Sequence, residues 1–314
     1  MRVFEAVPWS LVLLIGLVGW PLSGHTQSER IGVLTPITTP PYQSLVREII
    51  QGIGLSAGEH PVIVESIATD HTPGELRHWL GQVKPAVVIT LGREPTQRFE
   101  ALQSATPQLI GLLDLTPQTR PKANGISLAI DPTQVFETFQ LLALPVHRVH
   151  VVFNPRYDQW LVDLAHKRAL DYGFVLQPYS ASNLEQAIPQ FQHIFNTMDA
   201  ASEVLWLLAD NQLVDTDIVL PFIVEKAWVH RVMVISNNLL HTRLGILLGL
   251  YPDNIALGQA LGQQALALMR QPDQALGIRP MTAVKRAINL RIAVRLGLTV
   301  NRAVQEHFDL VISP

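Results

Sequence analysis

The sequence contains no cysteine. This excludes disulfides, thiolate metal sites and a cysteine nucleophile, and it excludes a lipid-modified N-terminal cysteine in an exported form. It also lacks an excess of charge of either sign. Twenty-three basic side chains stand against 26 acidic ones, for a net charge of −3, and no run of Lys and Arg occurs. So mild a balance carries no electrostatic footprint for nucleic acid. Long apolar runs are missing too. The stretch between Pro8 and Pro21 falls short of the roughly 20 residues a membrane-spanning helix needs, and every later run is broken by charge or proline.

Catalytic motifs are equally scarce. There is no P-loop and no G-x-S-x-G sequence. Residues 52–57 (GIGLSA) match G-x-G-x-x-A, but they fall at the end of a helical pattern rather than between a strand and a helix, so they are no dinucleotide fingerprint. The 11 histidines are scattered without metal-ligand spacing, and His147 and His150 fall on either side of a strand start. No close carboxylate pair stands beside a histidine base. Neither a catalytic residue nor a cofactor or metal is therefore expected.

What is present begins with an export pattern. Arg2 precedes a ten-residue apolar core, residues 11–20 (LVLLIGLVGW), with Pro21, Ser23 and Gly24 behind it. This reads as a signal peptide over residues 1–25, and the mature chain is expected in the periplasm, free of the membrane.

From residue 30 onward short apolar runs alternate with amphipathic segments. Strands are expected at residues 30–35 (RIGVLT), 61–68, 86–91 (AVVITL), 109–113 and 125–130, then again at 149–153, 174–178, 204–209 and 232–236 (VMVIS). Helices fall between them. Thr72-Pro73-Gly74-Glu75 is a capping box with proline at the first helical position, Ser182-Asn183-Leu184-Glu185 reads as a second box, and Asp131-Pro132 caps another helix. Further helices are expected over residues 254–269 and 283–296. Apolar strands alternating with helices imply parallel sheets covered on both faces. With 314 residues, nearly half of them apolar, two α/β lobes follow, each a doubly wound, Rossmann-like unit.

In such sheets ligands bind beyond the carboxyl ends of the strands. The residues there are Thr35, Gly92, Asp114, Asn154, Asp210 and Asn237. If the lobes face one another, both sets line one cleft. Asp210 is the first candidate to hold a ligand ammonium, with Asp114 facing it from the other lobe. The loop from Gly92 to Thr96 enters a helix with free N–H groups and a hydroxyl. Tyr42 and Tyr157 can close on an apolar or aromatic part of a ligand, with Trp160 nearby. The same residue types at strand-to-helix junctions also serve simply as caps, and Asp215 and Asp217 are better read as helix-start residues.

The pieces together resemble the type I periplasmic binding protein architecture. More narrowly, the chain resembles substrate-binding proteins of ABC transporters in the tryptophan/tyrosine-binding-like family. The resemblance rests on RIGVLT, on PAVVITLGREPTQRF (85–99), HRVHVVFNPRYD (147–158), LLADNQLV (207–214), VMVISNN (232–238), GILLGLYPDNIALGQALGQQA (245–265) and INLRIAVRLGL (288–298). It implies two lobes joined by a three-crossing hinge, with residues 26–125 and 246–276 in the first lobe and 126–245 and 277–314 in the second. It implies a small-molecule ligand, aromatic amino acids being what known members bind. The ligand-facing positions it matches lie around Thr35, Gly92 to Thr96, Asp114, Asn154 to Tyr157, Asp210 and Asn237. One departure is the segment LLDLTPQTRPKANG after the fourth strand, where the family has a longer apolar run and a Thr-Asp-Pro turn. The expected function is a monomeric periplasmic receptor that delivers its ligand to an ABC transporter permease. The alternatives are a receptor signalling to a sensor kinase or envelope receptor, and, least favoured, an exported α/β enzyme.

Overall fold

The computed structural model describes residues 29–68 and 70–313. The expected signal peptide lies outside the described residues. In chain order, the first elements are β1 (Ile31–Pro36), α1 (Tyr42–Ser56), β2 (Val62–Ile67), α2 (Pro73–Val83), β3 (Val87–Leu91), α3 (Arg93–Ala101), β4 (Gln108–Leu113) and β5 (Asn124–Ile130). Next come α4 (Pro132–Leu141), β6 (Arg148–Phe153), α5 (Pro155–Asp171), β7 (Val175–Ser180), α6 (Leu184–Thr197), β8 (Glu203–Leu207), α7 (Val219–His230), β9 (Met233–Ser236), α8 (Leu239–Arg243) and β10 (Leu248–Pro252). The chain ends with α9 (Asn254–Arg270), β11 (Ile278–Met281), β12 (Val284–Asn289), α10 (Leu290–Arg295), α11 (Arg302–Gln305) and β13 (Leu310–Ile312).

Two sheets result. One runs β11-β5-β4-β3-β1-β2, the other β13-β12-β10-β9-β8-β6-β7. Within each, the successive strands follow the 2-1-3-4-5 order of a doubly wound sheet, which puts a switch point beside β1/β3 and another beside β6/β8. All pairings are parallel except β10 with β12. Central strands such as β3 and β8 are buried along their whole length, as expected of a sheet covered on both faces.

Local chemistry fixes most helix starts. Thr72 and Glu75 form the reciprocal box, with Thr72 N donating to Glu75 Oε2 at 2.7 Å and Glu75 N to Thr72 Oγ1 at 3.3 Å. The second expected box is displaced by one residue. Asn183, not Ser182, caps α6 by accepting from Gln186 N at 3.0 Å, while Ser182 N donates to Gln186 Oε1 at 2.9 Å. Asp215 Oδ1 accepts from Asp217 N and Ile218 N just ahead of α7.

Three expectations are corrected here. The helix over residues 283–296 is instead β12 followed by the six-residue α10, because residues 284–288 pair antiparallel with β10. The region near residues 244–250, expected as a crossing, contains β10 itself. The lobe boundaries also move, since each crossing segment first adds a strand to the sheet it is leaving. β5, running to Ile130, stays in the first sheet; β10 stays in the second; β11 pairs with β5 in the first. The crossings therefore follow Ile130, Pro252 and Met281 rather than residues 125, 245 and 276. Helix α9 packs along α1 and covers the first sheet.

Candidate functional site

Between the carboxyl ends of the two sheets lies a cavity of about 450 Å³. From the first lobe it is lined by Arg93 at the start of α3, by Asp114, Leu115 and Thr116 after β4, and by residues 127–130 of β5. From the second lobe come Tyr157, Asp158, Trp160 and Leu161 on α5, residues 208–212 after β8, and Asn237 after β9. The walls are mixed, with aliphatic and aromatic surface interrupted by a few charged groups, as in small-molecule sites generally.

The local fold explains how these side chains arrive there. Leu112 adopts φ +56° and the pairing of β4 with β5 slips between Ile110 and Leu113. This bulge next to the cavity carries an L-residue in the left-handed region, a conformation that costs energy outside glycine. It bends the end of β4 ahead of Asp114. On the facing lobe, Asn154 caps α5 by accepting from Arg156 N at 3.0 Å, and its own N–H donates to Asp158 Oδ2 at 3.4 Å. Asp210 Oδ1 accepts from Gln212 N at 2.8 Å, which tightens the turn after β8. Its Oδ2 is shut off from solvent and has no hydrogen-bond partner among the described residues. Asn237 is held by Trp206, whose Nε1 donates to Asn237 Oδ1 at 3.1 Å.

Three carboxylates thus share one cleft, and their electrostatics follow. Desolvation, with repulsion from Asp210 behind it, raises the pKa of Asp114. Burial, then Asp210, and last Asp114 push Asp158 up to about 7, against a lowering by the Asn154 N–H that outweighs the Asp114 effect alone. A first-turn carboxylate ordinarily gains from its helix terminus; here removal from water outweighs that gain.

The structure brings Asp114, Tyr157, Asp210 and Asn237 together in this cleft. It gives the other expected residues different work. Thr35 is buried within β1 and, among the described residues, its hydroxyl meets only the neighbouring Pro36 carbonyl, at 3.5 Å. Tyr42 is exposed at the start of α1, away from the cavity lining. Gly92 takes φ +85° as the cap of α3, and its N–H is spent on Gly111 O at 2.9 Å. Thr96 is fully buried; its hydroxyl donates to Gly92 O at 2.7 Å and accepts from the Thr90 hydroxyl at 3.0 Å, so it is an internal brace. Asn154 is a buried cap. Asp158 was not singled out from the sequence, because an acid in a helix's first turn is what helix termini favour anyway. Arg93, readable as a solvated loop charge, stands on the cleft wall.

Among the described residues, no group of three or more His, Asp or Glu side chains is arranged to hold a metal ion, and no helix is long and apolar enough to cross a membrane.

No protein-family model matches the chain, and no curated protein sequence matches it. Solved structures do. A ligand-free, open structure of CD0873, a substrate-binding protein with adhesive properties from Clostridium difficile, aligns with TM-score 0.62 and 15% identity over 91% of this chain and 100% of its own. An ABC domain from Streptococcus pneumoniae in complex with L-Trp aligns with TM-score 0.54 and 16% identity, and a conserved domain protein from Vibrio cholerae with TM-score 0.51 and 17%, each over 91% of this chain and 100% of that one. The fold is that of the type I periplasmic binding proteins.

Proposed function

We propose that the chain is a periplasmic solute receptor that captures a small molecule between its two lobes and hands it to an ABC transporter permease. The observation that carries this reading is the cavity itself, walled by strand ends of both sheets and bearing charged groups from each lobe. A ligand that touches both walls favours the closed arrangement because only there are all its contacts made. Turning a mostly open population into a mostly closed one takes about 5 kcal/mol of differential binding. A few charge-assisted bonds to Asp210, Asp114 or Arg93 and one ring face from Tyr157 or Trp160 supply that scale. Export through the leader at residues 1–25, and kinship with the tryptophan/tyrosine-binding-like family, fit the likeness to the streptococcal and clostridial structures and belong to the same proposal.

The test is native mass spectrometry of the purified protein, followed by calorimetry with any small molecule released. Asp210→Asn keeps the acceptor for Gln212 and removes the charge. It is expected to weaken binding of the released molecule by at least about tenfold, the scale of one charge-assisted hydrogen bond. Unchanged affinity in that variant would remove Asp210, and with it this cleft, from the binding site.

A further inference from the structure

Charge in the cleft is unbalanced. Among the described residues that line it, three carboxylates (Asp114, Asp158 and Asp210) stand against one guanidinium, that of Arg93. Asp114 and Arg93 line it from the first lobe; Asp158 and Asp210 line it from the second, together with Tyr157. A zwitterionic amino acid would pair its carboxylate with Arg93 and its ammonium with one acid. Two acids would then remain without a counter-charge while the ligand displaces their water, which is costly for each of them that is ionised. Asp210 Oδ2 already lies in that condition, closed to solvent and unpartnered. An organic cation reaching both walls would supply the missing positive charge.

Resting on the reading of this cleft as a ligand site, we propose that the protein takes an organic cation bearing at least two positively charged nitrogens, of the diamine or basic amino acid class. One nitrogen meets Asp210 and Asp158 on the second lobe, and the other meets Asp114 across the gap, so that the cation ties the lobes together. Tyr157 and Trp160 line the cavity and offer apolar surface to the ligand's alkyl chain. A basic amino acid would place its carboxylate on Arg93; a diamine leaves Arg93 in solvent. The cavity, about 450 Å³, holds compounds of this size.

A proton is linked to this binding. Asp158, raised to about 7, is partly protonated in the empty protein at neutral pH. A cation beside it favours the ionised form, so binding releases a proton and tightens as pH rises through 7.

The test is isothermal calorimetry of the full chain with putrescine, spermidine, L-lysine and L-arginine, set against L-tryptophan, L-leucine and L-glutamate, at pH 6 and pH 8. At least one dicationic probe is expected to bind tenfold or more tightly than any of the other three. Its affinity is expected to be higher at pH 8, and to fall tenfold or more in Asp114→Asn and in Asp158→Asn, with the circular dichroism of both variants unchanged. If tryptophan, leucine or glutamate binds most tightly and the variants weaken it, the ligand class is wrong while the cleft stands. If a dication binds but neither variant alters it, the cleft reading fails. If none of the seven binds, the proposed class is overturned.

Discussion

Asp158 is a carboxylate placed where its charge is unwelcome. In an unfolded chain an aspartate ionises near pH 3.9; in the fold, burial and the nearby Asp210 hold it at about 7. Between those values the folded protein keeps a proton that the unfolded chain has released. The contribution of Asp158 to stability therefore declines as pH rises from about 4 to about 7 and levels off above, with its full penalty present at pH 8. Asp158→Asn preserves the volume and the acceptor for the Asn154 N–H while removing the titration. Its melting temperature is expected to exceed that of the parent by about 2–4 °C at pH 8 and to match it near pH 4. A difference independent of pH in thermal melts would show that ionisation is not the cause. The same residue illustrates what a sequence hides. The Asn154-Pro155 junction announces a helix start, and an acid four residues on looks like ordinary capping chemistry. Burial in the cleft, and behind it the approach of Asp210 after β8 and of Asp114 from the other lobe, gives it a different character. Asp114 and Asp210 were legible because each closes an apolar run, Asp114 directly after β4 and Asp210 three residues past β8. Thr96, equally well placed in the sequence, is spent on Thr90 and Gly92 within its own lobe.

At the scale of elements, the pairing of α1 with α9 shows the same contrast. A Cβ added to Gly52 would sit 2.0 Å from Ile255 O, one on Gly258 2.1 Å from Ile49 O, and one on Gly262 2.0 Å from Ser56 Oγ. The two helices therefore cross with backbones nearly touching. Gly54, two residues along from Gly52, has nothing within 4 Å of its added Cβ and is exposed. Intrinsic helix propensity favours alanine over glycine by about 1 kcal/mol at both kinds of site. Packing reverses the sign where the helices meet. Gly54→Ala is expected to stabilise by up to about 1 kcal/mol, and Gly258→Ala to destabilise by about 1–3 kcal/mol as the helices are forced apart. Urea denaturation of both variants measures this, and stabilisation by Gly258→Ala would contradict the close crossing. Periodicity and caps made the strands and helices up to residue 238 readable. The use of residues 52–57 was not readable, because the partner surface arrives some 200 residues later. Residues 283–296 misled for a related reason: their helical spacing is overruled by pairing with β10, an interaction no local window contains.

At the scale of the molecule, the two-lobe plan followed from alternation alone, whereas the crossings did not, since a segment leaving a sheet looks the same in sequence whether or not it pairs on its way out. The pairing has a mechanical consequence. β5 and β11 lie side by side in the first sheet immediately before the chain crosses, so two of the crossings leave from ordered strands rather than loose linkers, and the lobe closure proposed above would turn about them. What sets their resting separation includes charge. Asp114 on the first lobe is repelled by Asp210, and Asp158 feels both. As pH rises from 6 to 8 Asp158 ionises and the repulsion across the gap grows. The radius of gyration of the empty protein, by small-angle X-ray scattering at low ionic strength, is expected to increase over that interval. Three controls give the expectation its content. Salt at 1 M, with a screening length near 3 Å, should flatten the trend. Asp158→Asn should abolish it, since the group that titrates is gone. A bound dication should hold the radius small at both pH values by neutralising both walls at once. A radius that grows equally in Asp158→Asn would place the titrating group elsewhere in the molecule.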